Sequence, residues 1–373
     1  MKVLSIIDSF KGTITSNELG SIISKVLRKK QINADYLPIS DGGDGFLDAI
    51  EKAVSTKRFM VKVLDPLGRQ IETYYLYDDV NRIAYVELAK SSGINLLTQN
   101  ELNPFLTSTY GLGQVINHII DSEVKNIIVG IGGSATNDGG AGMLEAMGCL
   151  FYDDNNNMLT RLAGGNLDLV NRIDPLKFYQ RIKGVQFTVL SDVTNPLLYE
   201  NGATYVFSKQ KGAKEEAFKI LDTKMKKYAM IIEEHLQQNY HDALGSGAAG
   251  GVGFAFHSLL KAKFYSGIDY ILDLVDFNNL IKDYDYIITG EGKIDNQSLD
   301  GKVVFGISQR AQGKKIILVC AINEIEQTEL SKRNINQIYS IVGNIATKEE
   351  SMQHPKECFQ RLCESIDLKK DEV

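Results

Sequence analysis

Asn126-Ile127-Ile128-Val129-Gly130-Ile131-Gly132-Gly133-Ser134-Ala135-Thr136-Asn137-Asp138-Gly139-Gly140 runs from a short apolar segment into a glycine-rich loop, and residues 141–147, AGMLEAM, follow it. The apolar segment has the character of a buried parallel strand, and the residues after the loop read as helix. Glycine lets a backbone approach a ligand without a Cβ in the way, and the first N–H groups of a helix lack partners within it. A phosphate suits such a place, because several N–H donors and the positive helix end act on it together. A tight turn between two core elements would use the same residues, so the loop alone leaves both readings open.

The same device recurs on either side. Upstream, Lys2-Val3-Leu4-Ser5-Ile6-Ile7 reads as a strand ending in Asp8. Ser9-Phe10-Lys11-Gly12-Thr13 follows, and a helix is expected over 16–30 with Ser16 as its N-cap. Residues 34–39 read as a second strand, running into Ser40-Asp41-Gly42-Gly43-Asp44-Gly45 and a helix over 46–54. Downstream, 185–190 is a strand that ends in Ser191-Asp192-Val193-Thr194-Asn195-Pro196, and 285–289 is one that ends in Gly290-Glu291-Gly292-Lys293-Ile294-Asp295. A long amphipathic pattern over 214–238 leads to a second glycine-rich helix entry, Gly247-Ala248-Ala249-Gly250-Gly251. Residues 315–321 and 337–342 are further strands, 303–311 a helix reached through 297–302, and 348–365 a closing helix. Ligands of open α/β sheets bind beyond the carboxyl ends of the strands, where Asp8, Lys11, Asp41, Asp44, Asp192 and Glu291 all fall. Singly, each of these is as well explained by a turn or a cap.

Residues 59–64, 70–77 and 82–88 break the rhythm: they alternate, are rich in β-formers, and are joined by Asp65-Pro66-Leu67-Gly68 and Asp78-Asp79-Val80-Asn81. They read as an antiparallel meander. A chain of 373 residues is long enough for two domains. The expected fold class is α/β, a doubly wound parallel-sheet (Rossmann-like) domain with a second α/β domain inserted into it. The first is expected to comprise 1–58, 109–134 and 283–373, and the insert 59–108 and 135–282. Asp8, Asp41, Gly132 and Glu291 would then line one sheet edge, Asp192 and the Gly247 loop would come from the insert, and the active site would occupy the cleft between domains.

A net charge of −6 argues against a nucleic-acid binder, whose footprint is a basic face. No run approaches the roughly 18 apolar residues of a membrane span, and the apolar start is too short for a signal peptide, so a cytoplasmic protein is expected. A homo-oligomer is compatible with the sequence. Cys149, Cys320, Cys358 and Cys363 lack CxxC spacing, and the five histidines lack ligand spacing, which argues against disulfides and against zinc. Acid–base chemistry therefore falls to carboxylates and lysines.

Glycine loops for phosphate oxygens, lysines for developing charge, and carboxylates for magnesium and a hydroxyl proton are the parts of phosphoryl transfer. Neither GxxxxGK[ST] nor the protein-kinase set is present. A competing reading takes Gly130, Gly132 and Ala135 as a GxGxxA fingerprint, with Asp153 or Asp154 as the ribose acid of a nicotinamide-dependent dehydrogenase. A third is a catalytically silent binder of a small phosphorylated acid.

Seven blocks in order resemble the type I glycerate kinases. They are Asp8-Ser9-Phe10-Lys11-Gly12, Asp41-Gly42-Gly43-Asp44-Gly45, the loop 130–140, Ser191-Asp192-Val193-Thr194-Asn195-Pro196-Leu197, Gln210-Lys211-Gly212-Ala213, Gly247-Ala248-Ala249-Gly250-Gly251 and Thr289-Gly290-Glu291-Gly292. Asp44 stands where that family usually carries glutamate. The resemblance implies a glycerate kinase with ATP and magnesium as cofactors, D-glycerate as acceptor and 2-phosphoglycerate as product, with 3-phosphoglycerate the alternative. Within it, Asp192 is assigned first as the base, with Asp295 second, and Lys11 would neutralise the transferring group. Asp44 and Glu291, with Asp41, are the metal candidates. Asp8, Asp41, Gly132, Gly133, Ser134, Asn137, Asn195, Lys211, Gly247, Gly250 and Gly251 are assigned to substrate and phosphate.

Overall fold

The computed structural model describes residues 1–295 and 303–368, so the approach expected over 297–302 lies outside the described residues. The chain divides into two compact units, Met1–Val54 with Gly267–Val373, and Ser55–Ser266.

In the first unit, the strands Lys2–Ile7, Asn33–Tyr36, Tyr286–Ile294, Lys315–Asn323 and Gln337–Ser340 form one wholly parallel sheet. Counted along the chain within this unit, their spatial order is 2-1-3-4-5. The order reverses between Lys2–Ile7 and Tyr286–Ile294, and a reversal opens a crevice at the carboxyl ends of the two strands. Asp8 and Gly290 stand at that crevice, with the Asp8 N–H donating to the Gly290 carbonyl at 2.8 Å. The central strands are buried without alternation, as strands covered on both faces are. Leu19, Ile23, Val26 and Leu27 of the helix Ser16–Lys29 share a core with Phe359 and Leu362 of the helix Pro355–Ser365.

Two local expectations change. Thr15, not Ser16, caps the first helix, in a capping box with Glu18. The Ser16 hydroxyl instead donates to Ile7 O and accepts from Ile39 N, tying the ends of two strands together. The closing helix is two helices, Lys348–Gln353 and Pro355–Ser365, because the proline disfavours helical geometry at His354 and supplies no N–H of its own.

The second unit holds a six-stranded sheet in the order Lys263–Tyr265, Gln186–Leu190, Asn126–Gly130, Ile83–Glu87, Gln70–Asp78, Lys57–Leu64. The first four are parallel and the last two continue as the expected antiparallel meander. The long helix Glu215–Leu236 buries Met225, Tyr228 and Ile232 in the core of this unit. The assignment of 109–134 to the first domain is corrected here: Asn126–Gly130 pairs with Ile83–Glu87 and Gln186–Leu190, so it and Gly132 belong to the second unit. A buried apolar run reports a parallel environment but carries no label for the sheet that provides it. The boundary also moves from 283 to Gly267, and from 58 to Val54.

Candidate active site

In the first unit, the crevice gathers Asp8, Lys11, Asp41 and Glu291. Lys11 Nζ lies 3.1 Å from Asp41 Oδ2, and Asp41 Oδ1 accepts from Gly43 N at 3.0 Å. Asp8 is 4% exposed and accepts from Ser9 N. Burial, then Asp41 and to a lesser degree Glu291, push the Asp8 carboxyl up to about 8, against the pull of Lys11 and of the Ser9 amide. Asp41 in turn raises the Lys11 ammonium above its ordinary value, with smaller help from Asp8 and Glu291. Asp295 sits just beyond the Tyr286–Ile294 strand, 3.4 Å from Lys293 Nζ. Asp44 is exposed at the helix entry. Among the described residues, no group of three or more His, Cys, Asp or Glu side chains stands close enough together to hold a metal ion. Magnesium is commonly held by one or two carboxylates together with nucleotide phosphates, so Asp41, Asp44 and Glu291 stay the candidates for it.

In the second unit, the opening loop is built differently from its expectation. Every amide from Gly139 to Met143 already has a protein acceptor. Gly139 N donates to Gly250 O, Ala141 N to Asp138 O, Gly140 and Gly142 N to the Asp138 carboxylate, and Met143 N to Thr109 Oγ1. Asp138 is fully buried and also accepts from the Thr109 amide and hydroxyl. The start of the helix Ala141–Ala146 is therefore closed to a phosphate, because its buried donors are already satisfied within the protein. The nicotinamide reading fails with it, since its pyrophosphate needs that helix end, and Asp153 is spent on the turn formed by Asn155 and Asn157.

The open part of the loop lies earlier. The amides of Gly132 and Gly133 have no acceptor among the described residues. Behind them, Lys211 Nζ donates to Ser134 Oγ at 2.8 Å and to Thr136 O at 2.7 Å. Asn137 Nδ2 donates to Thr204 Oγ1 at 3.0 Å. Asp192 follows the Gln186–Leu190 strand, whose neighbour Asn126–Gly130 leads into the loop, so the two carboxyl ends lie side by side.

The second glycine loop packs closely on its neighbours. A Cβ on Gly250 would lie 1.9 Å from Thr136 O, and its φ of +67° is left-handed. Gly247 N donates to Asn195 O, while Asn195 Nδ2 donates to Asn201 O. Gly250 and Gly251 thus back the loop 136–139, whereas Gly247 packs on Pro196 beside Asn195. Thr136, Asp138, Thr109 and Thr204 went unassigned in the sequence. An aspartate ahead of two glycines at a helix start was a legible capping signal for Asp138; the other three carried none.

The glycerate kinase family model matches residues 3–368. A glycerate kinase of Halalkalibacterium halodurans is 37% identical over 96% of this chain and 95% of its own length. The glycerate 2-kinase of Escherichia coli K12 is 34% identical over 95% of this chain and 93% of its own. Among solved structures, a protein provisionally named glycerate kinase 2 from Salmonella typhimurium LT2 superposes with a TM-score of 0.79 at 33% identity, covering 98% of this chain and 96% of that one. With glycine loops and carboxylates at strand ends in both units, and a family match that spans both, this chain belongs to the glycerate kinase family and is an enzyme of that kind.

Proposed function

We propose that the enzyme transfers the γ-phosphoryl group of ATP, presented as its magnesium complex, to the 2-hydroxyl of D-glycerate. Family membership along the whole chain carries this reading, and the E. coli relative named for the 2-position supports the regiochemistry. Phosphoryl transfer is run mainly by positioning and charge, and the metal bridges nucleotide oxygens. A magnesium ion that arrives on ATP needs no resident protein cage.

Asp192 is assigned as the base that takes the hydroxyl proton as the new O–P bond forms and the bond to ADP breaks; Asp295 is the second choice. Lys11, held at Asp41, would neutralise the phosphoryl group in transfer. Asp8, Asp41 and Glu291 would face the magnesium-bearing nucleotide.

Phosphorus NMR of the purified protein with D-glycerate, ATP and magnesium tests this. A 2-phosphoglycerate resonance is expected. Appearance of 3-phosphoglycerate would correct the position, and unchanged ATP would overturn the proposal.

A further inference from the structure

Resting on the reading as an ATP-dependent glycerate kinase, we infer that Lys211, with the amides of Gly132 and Gly133 and the hydroxyl of Thr136, is the subsite for the carboxylate end of the acceptor and not for a phosphate.

Lys211 is 1% exposed, yet two of its three donors are spent on neutral acceptors, Ser134 Oγ and Thr136 O. The acidic group that acts on it is Asp138, whose oxygens are occupied by Thr109, Gly140 and Gly142. Burial pulls the ammonium down to about 7, with Asp138 opposing. A dry cation with no anion beside it is costly to keep, and an anionic ligand removes that cost.

The surroundings specify the anion. Thr136 Oγ1 and Asn137 Oδ1 are buried with no hydrogen-bond partner among the described residues. They lie on the same loop as the two open amides of Gly132 and Gly133. Buried acceptors call for donors, and a small acid with hydroxyls next to its carboxylate supplies both. A single ammonium matches one negative charge, whereas a nucleotide triphosphate carries several. Lys211 is thereby the residue that separates glycerate from uncharged polyols.

The test compares wild type with Lys211→Met in steady-state kinetics and thermal melts. The KM for D-glycerate should rise at least about 30-fold while the KM for MgATP stays within about twofold. D-Glycerate should raise the wild-type melting temperature, glyceramide should not, and Lys211→Met should lose the glycerate shift. Without ligand, the variant should melt at or above wild type, because an unpaired buried charge has been removed. An unchanged KM for glycerate overturns the inference. A rise in the KM for MgATP as large as that for glycerate moves the site to phosphate and overturns it too, and a lower unliganded melting temperature with unchanged KM makes Lys211 purely structural. Should Lys211→Met not fold, Thr136→Val keeps the shape and deletes a hydroxyl with no protein partner; its KM for glycerate should rise several-fold with no loss of stability. If wild type phosphorylates no glycerate, the kinase reading falls, while the glycerate-against-glyceramide melts still decide the subsite.

Discussion

The two units place charge at the carboxyl ends of their strands in opposite ways. In the first, Asp8, Asp41 and Glu291 act on one lysine, and Lys11 is 75% exposed in its side chain. In the second, one lysine is shut away from water, and the acid that acts on it is committed elsewhere. An exposed ion pair is worth at most about 1 kcal/mol, so Lys11 can leave Asp41 for a ligand at small cost. A buried, hydrogen-bonded ammonium is set in place before any ligand arrives, which is the preorganised form of electrostatic recognition. The same strand-to-loop device thus yields an adaptable acidic patch in one unit and a fixed cationic one in the other.

The backbone gives the largest test of that contrast. Gly250→Ala should cost about 4 kcal/mol in denaturant titrations, since the new Cβ meets Thr136 O in a rigid loop. Gly12→Ala also meets a left-handed φ, +77°, but open space, and should cost only about 1 kcal/mol. Equal costs would erase the distinction between a packed loop and an open one.

Asp192→Asn should lower kcat by about 100-fold, or about 2.7 kcal/mol of barrier, with an unchanged circular dichroism spectrum. Full activity would remove Asp192 as the base and bring Asp295→Asn forward. Lys11→Met should lower kcat by about tenfold yet shift stability by less than about 1 kcal/mol, as an exposed partner of Asp41 should.

Asp8 supplies a pH test. Its folded-state value of about 8 lies above the ordinary 3.8, so between these values the folded protein holds a proton that the unfolded chain has released. That contribution to stability is complete below about pH 4 and is lost as pH rises through 8. Asp8→Asn is neutral throughout and does not lose it. Its melting temperature should gain on wild type by several degrees between pH 4 and 8, then keep a constant lead; parallel curves would show that Asp8 is not held protonated.

Short-range physics was legible along the chain. Apolar runs found the strands Asn126–Gly130, Gln186–Leu190 and Lys315–Asn323, and alternation found the meander. Asp8, Lys11 and Asp41 were identified as candidates because a carboxyl end of a strand is a local feature, and the structure brings them together.

What the sequence by itself determined is the α/β class, the succession of strand, glycine and helix, and the residue types on offer at each strand end. Only the tertiary structure decided which sheet receives Asn126–Gly130, that Asp138 and Gly250 close the helix start, and that Lys211 lies buried against Ser134 and Thr136. The reason is the range of the forces. Periodicity and propensity act over a few residues, whereas the partner of a buried donor is whatever polar atom the fold carries to it, 77 positions away in the case of Lys211 and Ser134.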